Sequence, residues 1–303
     1  MAYRLRKKDP SVEAAVRRIA GELVTDAIGH IEQAGADPAR IAAATHAARK
    51  TCKKMRALVR LVRSAFPDYA LENAAFRQIA QGLSSARDAK VLLDSFDLLT
   101  GSEGSHASAS PLAGLRATLE ADGAVRSGCG DEADALYHAR AHFLAAGSRI
   151  GDWTLHADGW DALGEGVALV LGRARKAWQG AHASSDPAAW HELRKPLKYH
   201  WYHTRLLVQI WHGPMQARAA SLSQVADLIG LDHDMSVLEA RLRDLRGHGA
   251  DPAAVDIMFG LARRKRAQLE RLAHPEIARL LVRGPAGLAR DWGALWAIWH
   301  GRR

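Results

Sequence analysis

Apolar residues recur every three or four positions along almost the whole chain. This spacing places them on one side of an α-helix, whereas a half-buried strand would alternate apolar and polar residues. We find no convincing alternating stretch. The helix formers Ala, Leu and Arg are abundant, and the β-branched and aromatic residues that favour strands are sparse. The pattern therefore predicts an all-α protein.

The dipeptide Asp-Pro marks predicted helix starts at four places. An aspartate can accept hydrogen bonds from the first free N–H groups of a helix, and proline fits the first helical position because it has no N–H. The pairs are Asp9-Pro10, Asp37-Pro38, Asp186-Pro187 and Asp251-Pro252. With the apolar spacing they predict helices over residues 10–34, 38–65, 70–84, 88–99, 111–121 and 131–147, and over 157–181, 187–211, 214–229, 233–246, 252–272 and 286–300.

The helical pattern lapses around residues 147–156. We take this lapse as the boundary between an N-terminal helical bundle (1–152) and a C-terminal helical bundle (153–303). A second lapse, the low-complexity stretch 101–110, is rich in Gly and Ser. We expect it to form a flexible surface loop.

Two motifs recur in the same order in the two halves. The first half has His46 at the head of a basic segment, followed by a Gly-Leu dipeptide and Asp88; the second has His191, Gly-Leu and Asp234. The histidines lie 145 positions apart and the aspartates 146. Two motifs at nearly equal separation indicate an internal repeat. We therefore predict two tandem helical bundles related by duplication, with approximate two-fold symmetry.

The composition indicates a polyanion as partner. The 303 residues carry 42 Lys and Arg against 33 Asp and Glu, a formal net charge of +9, which attracts nucleic acid, anionic lipid or polyphosphate. Two cysteines without a metal-site spacing argue against a disulfide framework or a cysteine zinc site. The basic first ten residues lack the apolar segment of a secretory signal, and no uncharged apolar run is long enough to span a membrane. We expect a cytoplasmic protein without membrane contact.

A basic stripe follows the predicted helix 38–65. Its members recur at spacings of three or four and share one side of the helix; they are His46, Arg49, Lys50, Lys53, Arg56, Arg60 and Arg63. Apolar residues fall on the opposite side, so we expect the stripe to face outward. From Arg49 to Arg63 there are seven Lys and Arg and no acid. Like charges one turn apart destabilise a helix by ~0.2–0.5 kcal/mol per pair, so we expect a ligand or another segment to supply the countercharge.

The predicted helix 187–211 repeats this arrangement with fewer charges. The residues that share its face are His191, Arg194, Lys195, Lys198, Tyr202 and Arg205. Pro196 lies inside the segment, so either the helix bends there or its regular part begins later. A single basic stripe is often a solvated surface, and a lone histidine often only packs or caps, but two matching His-x-x-Arg-Lys-x-x-Lys motifs favour a ligand. We interpret Asp88 and Asp234 as N-caps or ion-pair partners.

Signals for catalysis are weak. His138 and His142 have a spacing compatible with a metal, but the glutamate that follows the first histidine in helical zinc proteases is missing. The chain has no Gly-rich phosphate loop and no nucleophile elbow. Trp292, Trp296 and Trp299, at spacings of four and three, are expected to form a core stripe of the last helix. We predict a non-enzymatic protein with no catalytic residue, no metal and no cofactor.

The two basic motifs resemble those of CHAD, the conserved histidine α-helical domain. The matching residues are His46, Arg49, Lys53, Lys54 and Arg56 with Arg87-Asp88 in the first half, and His191, Arg194, Lys195 and Lys198 with Tyr202 and Asp234 in the second. The resemblance covers nearly the whole chain, because the family is itself a pair of helical bundles with approximate two-fold relation. Nothing like the triphosphatase tunnel domain of some relatives precedes the first helix, so a standalone CHAD protein is expected.

The resemblance implies that the basic helices of both bundles line a shared groove or pore. Inorganic polyphosphate would bind there, and the protein would associate with polyphosphate granules in bacteria. The implied contacts are His46, Arg49, Lys50, Lys53, Lys54, Arg56, Arg60, His191, Arg194, Lys195, Lys198, Tyr202 and Arg205. In two departures, Trp201 stands where an arginine is common and Pro196 interrupts the second motif, which implies a weaker grip by the second half.

Three alternatives stay open. The basic faces are also compatible with nucleic acid, although they carry few aromatic residues for stacking and no recognisable DNA- or RNA-binding module. A metal-dependent phosphohydrolase would need acids to hold Mg²⁺, which the basic faces lack. A scaffold that recruits other granule proteins is compatible with polyphosphate binding.

Each basic stripe opens with a histidine, and we hypothesise that both histidines bind phosphate in the protonated form. Binding would raise their pKa from the reference value of about 6.5. Affinity for polyphosphate would then weaken as the pH rises toward 8, and a pH-independent affinity over that range would exclude the hypothesis.

Overall fold

The part of the protein that the structure describes is entirely helical. The structure is a computed structural model that describes residues 3–83, 87–101, 111–126, 131–183 and 187–301. Within these residues there is no strand, which confirms the predicted all-α class. The α-helices are α1 (Val12–Ala34), α2 (Pro38–Leu61), α3 (Tyr69–Gly82), α4 (Arg87–Thr100), α5 (Pro111–Arg126), α6 (Asp131–Ile150), α7 (Gly159–Ala183), α8 (Pro187–Leu206), α9 (His212–Gly247), α10 (Pro252–Leu281) and α11 (Pro285–Trp299).

The predicted Asp-Pro helix starts are confirmed at two of the four places. Asp37 caps α2 by accepting from the N–H of Ala39 at 2.8 Å, and Asp251 caps α10 in the same way. At Asp9 the prediction is wrong, because Ser11 caps α1 and Asp9 instead pairs with Arg18 at 2.8 Å. At the fourth place, α8 begins at Pro187 as expected, but Asp186 lies outside the described residues. Nearly all of the predicted loop 101–110 also lies outside them.

The largest departure is α9, one helix where two were predicted over 214–229 and 233–246. Buried residues keep the helical spacing straight through the expected break, from Ile229 to Met235 and Leu238. Asp234 is therefore inside a helix, and its interpretation as an N-cap is wrong. Since α4 begins at Arg87, Asp88 lies in the first turn of that helix; its side chain is outside the described residues.

Prolines inside two helices do not end them. α8 runs from Pro187 through Pro196 to Leu206, so the alternative that its regular part begins later is wrong. α10 likewise continues through Pro275 to Leu281. A proline in these positions removes one backbone donor but leaves the helix intact when packing on its buried side holds the axis.

The core consists of two hydrophobic clusters. The larger combines α1, α2, α3, α6, α7, α8 and α11 with the first part of α9 and the last part of α10. The smaller combines α4 and α5 with the end of α9 and the start of α10. Each cluster draws on both sides of residue 152, so the two predicted halves share their cores; their duplication and their boundary stay predictions. The tryptophan stripe of α11 is confirmed, with Trp292 and Trp296 buried and Trp299 packed against the larger cluster.

Helix α2 is held on two sides by α7 and α8. A Cβ atom on Gly166 of α7 would overlap the backbone carbonyl of Leu61, so only glycine allows α7 to approach α2 this closely. On α8, the fully buried His203 donates from Nε2 to the carbonyl oxygen of Ala57 at 3.0 Å. Burial lowers the pKa of His203 to about 3, so this donor is a neutral imidazole at ordinary pH.

We predict that Gly166→Ala lowers the free energy of unfolding by about 1–3 kcal/mol, because the added methyl group forces α7 away from α2. Gly29→Ala in α1 is the matched control, since nothing lies within 4 Å of its new Cβ. The control should raise stability by about 0.5–1 kcal/mol through the better helix propensity of alanine. Urea unfolding of both variants measures the difference. A Gly166→Ala protein as stable as its parent would show that the two helices do not meet as described.

Candidate functional site

The packing of α2 against α8 brings the two predicted basic stripes together. The stripe of α2 is exposed at His46, Lys50 and Lys53, as the prediction that it faces outward requires. That prediction is wrong for Arg60, which is only 8% exposed. The reason is that α2 has a second buried side from Ala57 onward, where α7 and α8 cover it.

On one flank of this contact, cations from both helices meet around Tyr3. The Nζ of Lys54 (α2) lies 5.7 Å from the centroid of the Tyr3 ring, and the guanidinium of Arg205 (α8) lies 5.9 Å from it. The Tyr3 hydroxyl donates to the carbonyl of Lys54 at 2.8 Å, which fixes the ring in place. The N-terminal segment, which the sequence did not single out, thus joins the two stripes.

Trp201 gathers a further pair of cations on the same flank. The Nζ of Lys198 lies 4.5 Å from its ring centroid and the guanidinium of Arg205 lies 4.8 Å from it. This is the position at which an arginine is common in the resembling family, and the tryptophan here holds neighbouring cations in place by cation–π contact. We call Tyr3, Lys54, Lys198, Trp201 and Arg205 the α2–α8 basic site.

Burial is the main cause that lowers the pKa of both lysines in the α2–α8 basic site. The pKa of Lys54 is lowered first by burial and then by the charges of Lys50 and Arg205. Burial also lowers the pKa of Lys198, against the opposing attraction of Asp227 at 3.7 Å. A bound anion would offset both effects, because it supplies the countercharge that this part of α2 lacks.

Tyr202, an implied contact, is packed behind this site. It is 4% exposed, and its ring meets the Tyr3 ring edge-on with centroids 5.9 Å apart. Burial is the main cause that raises the pKa of its phenol to about 12, so the phenol stays neutral. The structure places Tyr202 where it positions the Tyr3 ring.

On the other flank of the contact lies a group of arginines, Arg56, Arg60, Arg63 and Arg173, which we call the arginine cluster. Arg56 and Arg60 both donate to the side-chain oxygen of Asn73, Arg56 at 3.3 Å. Arg60 also lies over the Tyr199 ring at 4.3 Å, and Arg63 over the Tyr69 ring at 4.7 Å.

Arg173 of α7 also belongs to this cluster, and no sequence motif predicted it as a site residue. Burial, the largest cause, lowers the pKa of Arg60, and the charges of Arg56 and Arg173 lower it further. Only the tertiary structure brings Arg173 close to α2, so sequence spacing had no signal for it.

His191 and Arg194 lie at the opposite end of the α8 stripe, against α9. The His191 ring packs on the His233 ring with centroids 3.9 Å apart, a contact that the sequence analysis missed. Arg194 rests on Gly230, where an added Cβ would come within 3.4 Å of the guanidinium. The Arg194 guanidinium of α8 therefore packs over Gly230 of α9.

The surroundings of His191 lower its pKa below the reference value from which the hypothesis of phosphate-binding histidines starts. Burial, and then the nearby His233 and Lys195, lower the pKa of His191 to about 4. In the protein without ligand, His191 is therefore neutral at pH 7, and its pKa lies well below the reference value of about 6.5. Lys195 itself is paired with Glu192 at 2.5 Å.

The first-half histidine lies in a separate recess. His46 and Arg49 line an open pocket of about 340 Å³ together with Lys90, Asp94 and Glu132. Arg49 also donates to the carbonyl of Leu83 at 2.6 Å, which ties α2 to the end of α3. Of the implied contacts, the structure brings Lys54, Lys198 and Arg205 into one site, and Arg56 and Arg60 into another beside it.

Within the described residues, no group of three or more His, Cys, Asp and Glu side chains is arranged to hold a metal ion. No described helix is both long enough and apolar enough to cross a membrane.

The fold is an all-α domain in which two basic helices pack together, and comparison gives the family. A family model described as the CHAD domain matches residues 14–243, which is well over half of the chain. The chain therefore belongs to the CHAD domain family. CHAD domains are linked in general to polyphosphate binding.

The fold is also similar to a solved structure, the crystal structure of the CHAD domain from the plant Ricinus communis. The TM-score is 0.62 at 18% sequence identity, and the match covers 93% of this chain and 95% of that chain. At this identity the similarity shows the shared fold. None of the curated proteins compared with this chain matches it.

We predict that His191 does not titrate between pH 8 and 5.5 in the protein without ligand, because its pKa lies near 4. Histidine-labelled protein followed by NMR measures this, with His191→Gln to assign the ring signals. A titration midpoint near 6.5 for His191 would contradict the described packing on His233.

Proposed function

We propose that this protein binds inorganic polyphosphate without catalysing a reaction, and that the α2–α8 basic site is the centre of binding. The observation that carries the proposal is the meeting of Lys54 and Arg205, from different helices, over one tyrosine ring. Burial is the main cause that disfavours the charged form of Lys54 and Lys198, and neighbouring cations add to it, so a row of phosphates would stabilise that charged form. The general link of the CHAD family to polyphosphate supports the same ligand.

A ligand made only of phosphates suits the way these cations are held. Arginine forms paired hydrogen bonds to phosphate oxygens, and lysine acts as a point charge. Arg205 and Lys198 lie against the Trp201 ring. Arg205 can turn its N–H groups to a phosphate, and Lys198 would exchange its contact with Asp227 at 3.7 Å for one with a phosphate. The arginine cluster next to the site continues the positive surface along α2.

The same aromatic contacts argue against nucleic acid as the main ligand. Single-stranded nucleic acids gain affinity by stacking bases on exposed aromatic rings. Tyr3 and Tyr202 are buried, and Trp201 already carries two cations at its ring. Within the α2–α8 basic site as described, no aromatic ring is left as a stacking platform.

The proposal includes the absence of catalysis, and it treats granules as the place of action. Asp227 lies 3.7 Å from Lys198, and the charge of Asp26 acts on Lys54, so each of these carboxylates is placed against a lysine. Polyphosphate hydrolysis usually relies on several acids that hold Mg²⁺. A protein that binds polyphosphate would gather in the cytoplasm where the polymer accumulates, at polyphosphate granules, together with other granule proteins.

We predict that Lys54→Gln combined with Arg205→Gln weakens binding of long-chain polyphosphate by about 10-fold or more, since charge-assisted hydrogen bonds contribute about 1.5–3 kcal/mol each. The slope of log K against log salt should fall by about 1.4, by analogy with 0.7 per phosphate contact on single strands. Arg290→Gln, an exposed arginine of α11, is the control. Circular dichroism checks that the double variant stays helical.

The same assay includes RNA and DNA as competitors at matched phosphate concentration, and a measurement of phosphate release with Mg²⁺ or Mn²⁺. We expect polyphosphate to displace both nucleic acids and no phosphate to be released. Equal competition by RNA would favour the nucleic-acid alternative. Metal-dependent phosphate release would favour the phosphohydrolase.

A further inference from the structure

A second cationic recess lies away from the α2–α8 basic site. It is an open pocket of about 950 Å³ between the last turn of α7, the first turn of α8 and the middle of α10. We call it the α7–α10 pocket; its polar and aromatic lining includes His182, Trp190, Arg264, Glu270, Arg271 and His274. None of them belongs to the basic motifs. The small side chains of Ala181 and Ala267 leave the space open.

The α7–α10 pocket is positively charged. Arg264 and Arg271 are seven residues apart on α10, two turns or about 10 Å along one face. Neither guanidinium is paired with a carboxylate among the residues the structure describes. The carboxylate in the lining, Glu270, is 3.8 Å from Arg266, which also faces Asp232 and Glu239. Burial and then the charge of Asp232 raise the pKa of Glu270, which weakens its negative charge in the pocket. Two guanidiniums at this spacing suit an anion with more than one phosphate.

The wall of the pocket is built from aromatic rings. His182 and His274 share a hydrogen bond of 3.0 Å between Nδ1 and Nε2. His182 stacks on Trp178 with centroids 5.8 Å apart and planes inclined by 29°, and the edge of Trp178 meets His274 at 4.6 Å. Since His182 is exposed, its outer face is open to a planar group. The rings behind it hold it in place.

The size of the α7–α10 pocket suits a small molecule. The volume lies within the usual range for small-molecule sites, about 300–1,000 Å³.

We propose that the α7–α10 pocket binds a nucleoside diphosphate, with the phosphates on Arg264 and Arg271 and the base against His182. Inorganic polyphosphate fits this pocket less well than the α2–α8 basic site. Two guanidiniums replace the long row of cations, and the small side chains of Ala181 and Ala267 give a phosphate no partner. The proposal is independent of polyphosphate binding.

Binding of ADP to the whole protein, measured by isothermal titration calorimetry, tests this. We expect Arg264→Gln with Arg271→Gln to weaken ADP binding about 10-fold or more. Ala267→Phe, which places a large side chain between Arg264 and Arg271, should also weaken it while leaving the charge unchanged. Arg263→Gln, exposed on α10 outside the pocket, is the matched control and should bind ADP like the parent. Pyrophosphate and adenosine should each bind more weakly than ADP.

Several outcomes would overturn the proposal. These are no ADP binding at millimolar concentration, unchanged binding in the Arg264→Gln/Arg271→Gln variant, or pyrophosphate binding as tightly as ADP. Loss of ADP binding in the Lys54→Gln/Arg205→Gln variant would place ADP in the α2–α8 basic site instead. Polyphosphate affinity, measured on the same pocket variants, should not change, so failure here leaves the proposed polyphosphate site standing.

Discussion

The close fit of α2 between α7 and α8 is the constraint on which the rest of the structure depends. Gly166 lets α7 rest directly on the carbonyls of the last turn of α2, and His203 donates to the carbonyl of Ala57 from the other side. Both contacts are made to the backbone, so they fix the position of α2 whatever its side chains do. A helix with seven cations and no acid between Arg49 and Arg63 is thereby forced into contact with a second basic helix.

The protein holds these cations with aromatic rings and an amide where carboxylates would be usual. Tyr3, Trp201 and Tyr199 each face a lysine or arginine, and Asn73 accepts from two arginines. Cation–π contacts of this kind are worth about 0.5–2 kcal/mol. They position the side chain without neutralising it. The positive charge therefore stays available to a ligand, which is the property that an anion-binding surface needs.

Much of the fold could be predicted because it depends on local rules. Apolar spacing gave the helices, and Asp37 and Asp251 cap two of them as their sequence context indicates. The predicted break in α9 at Gly230 was wrong, and so was the predicted end of α10 at residue 272, since that helix continues to Leu281. The Arg194 guanidinium packs over this glycine, and the buried spacing continues past it. A glycine in a loop and a glycine inside a helix look the same in a one-dimensional pattern of residues.

The site was only partly predictable, for a different reason. A helical wheel shows one apolar side of α2, but from Ala57 onward this helix has two buried sides, so Arg60 is inside. Tyr3 and Arg173 come from distant elements that meet α2 only in the folded chain. The depressed pKa of His191 likewise follows from burial against His233, which spacing along the chain does not reveal.

The claim that α2 and α8 form one site is tested most directly by calorimetric titration of a short polyphosphate chain. The proteins compared are the parent, an α2 variant (Lys53→Gln/Lys54→Gln) and an α8 variant (Lys198→Gln/Arg205→Gln). The account predicts one chain bound per protein and a weakening of that same binding event by either variant. Two independent binding events, each lost in only one variant, would contradict it.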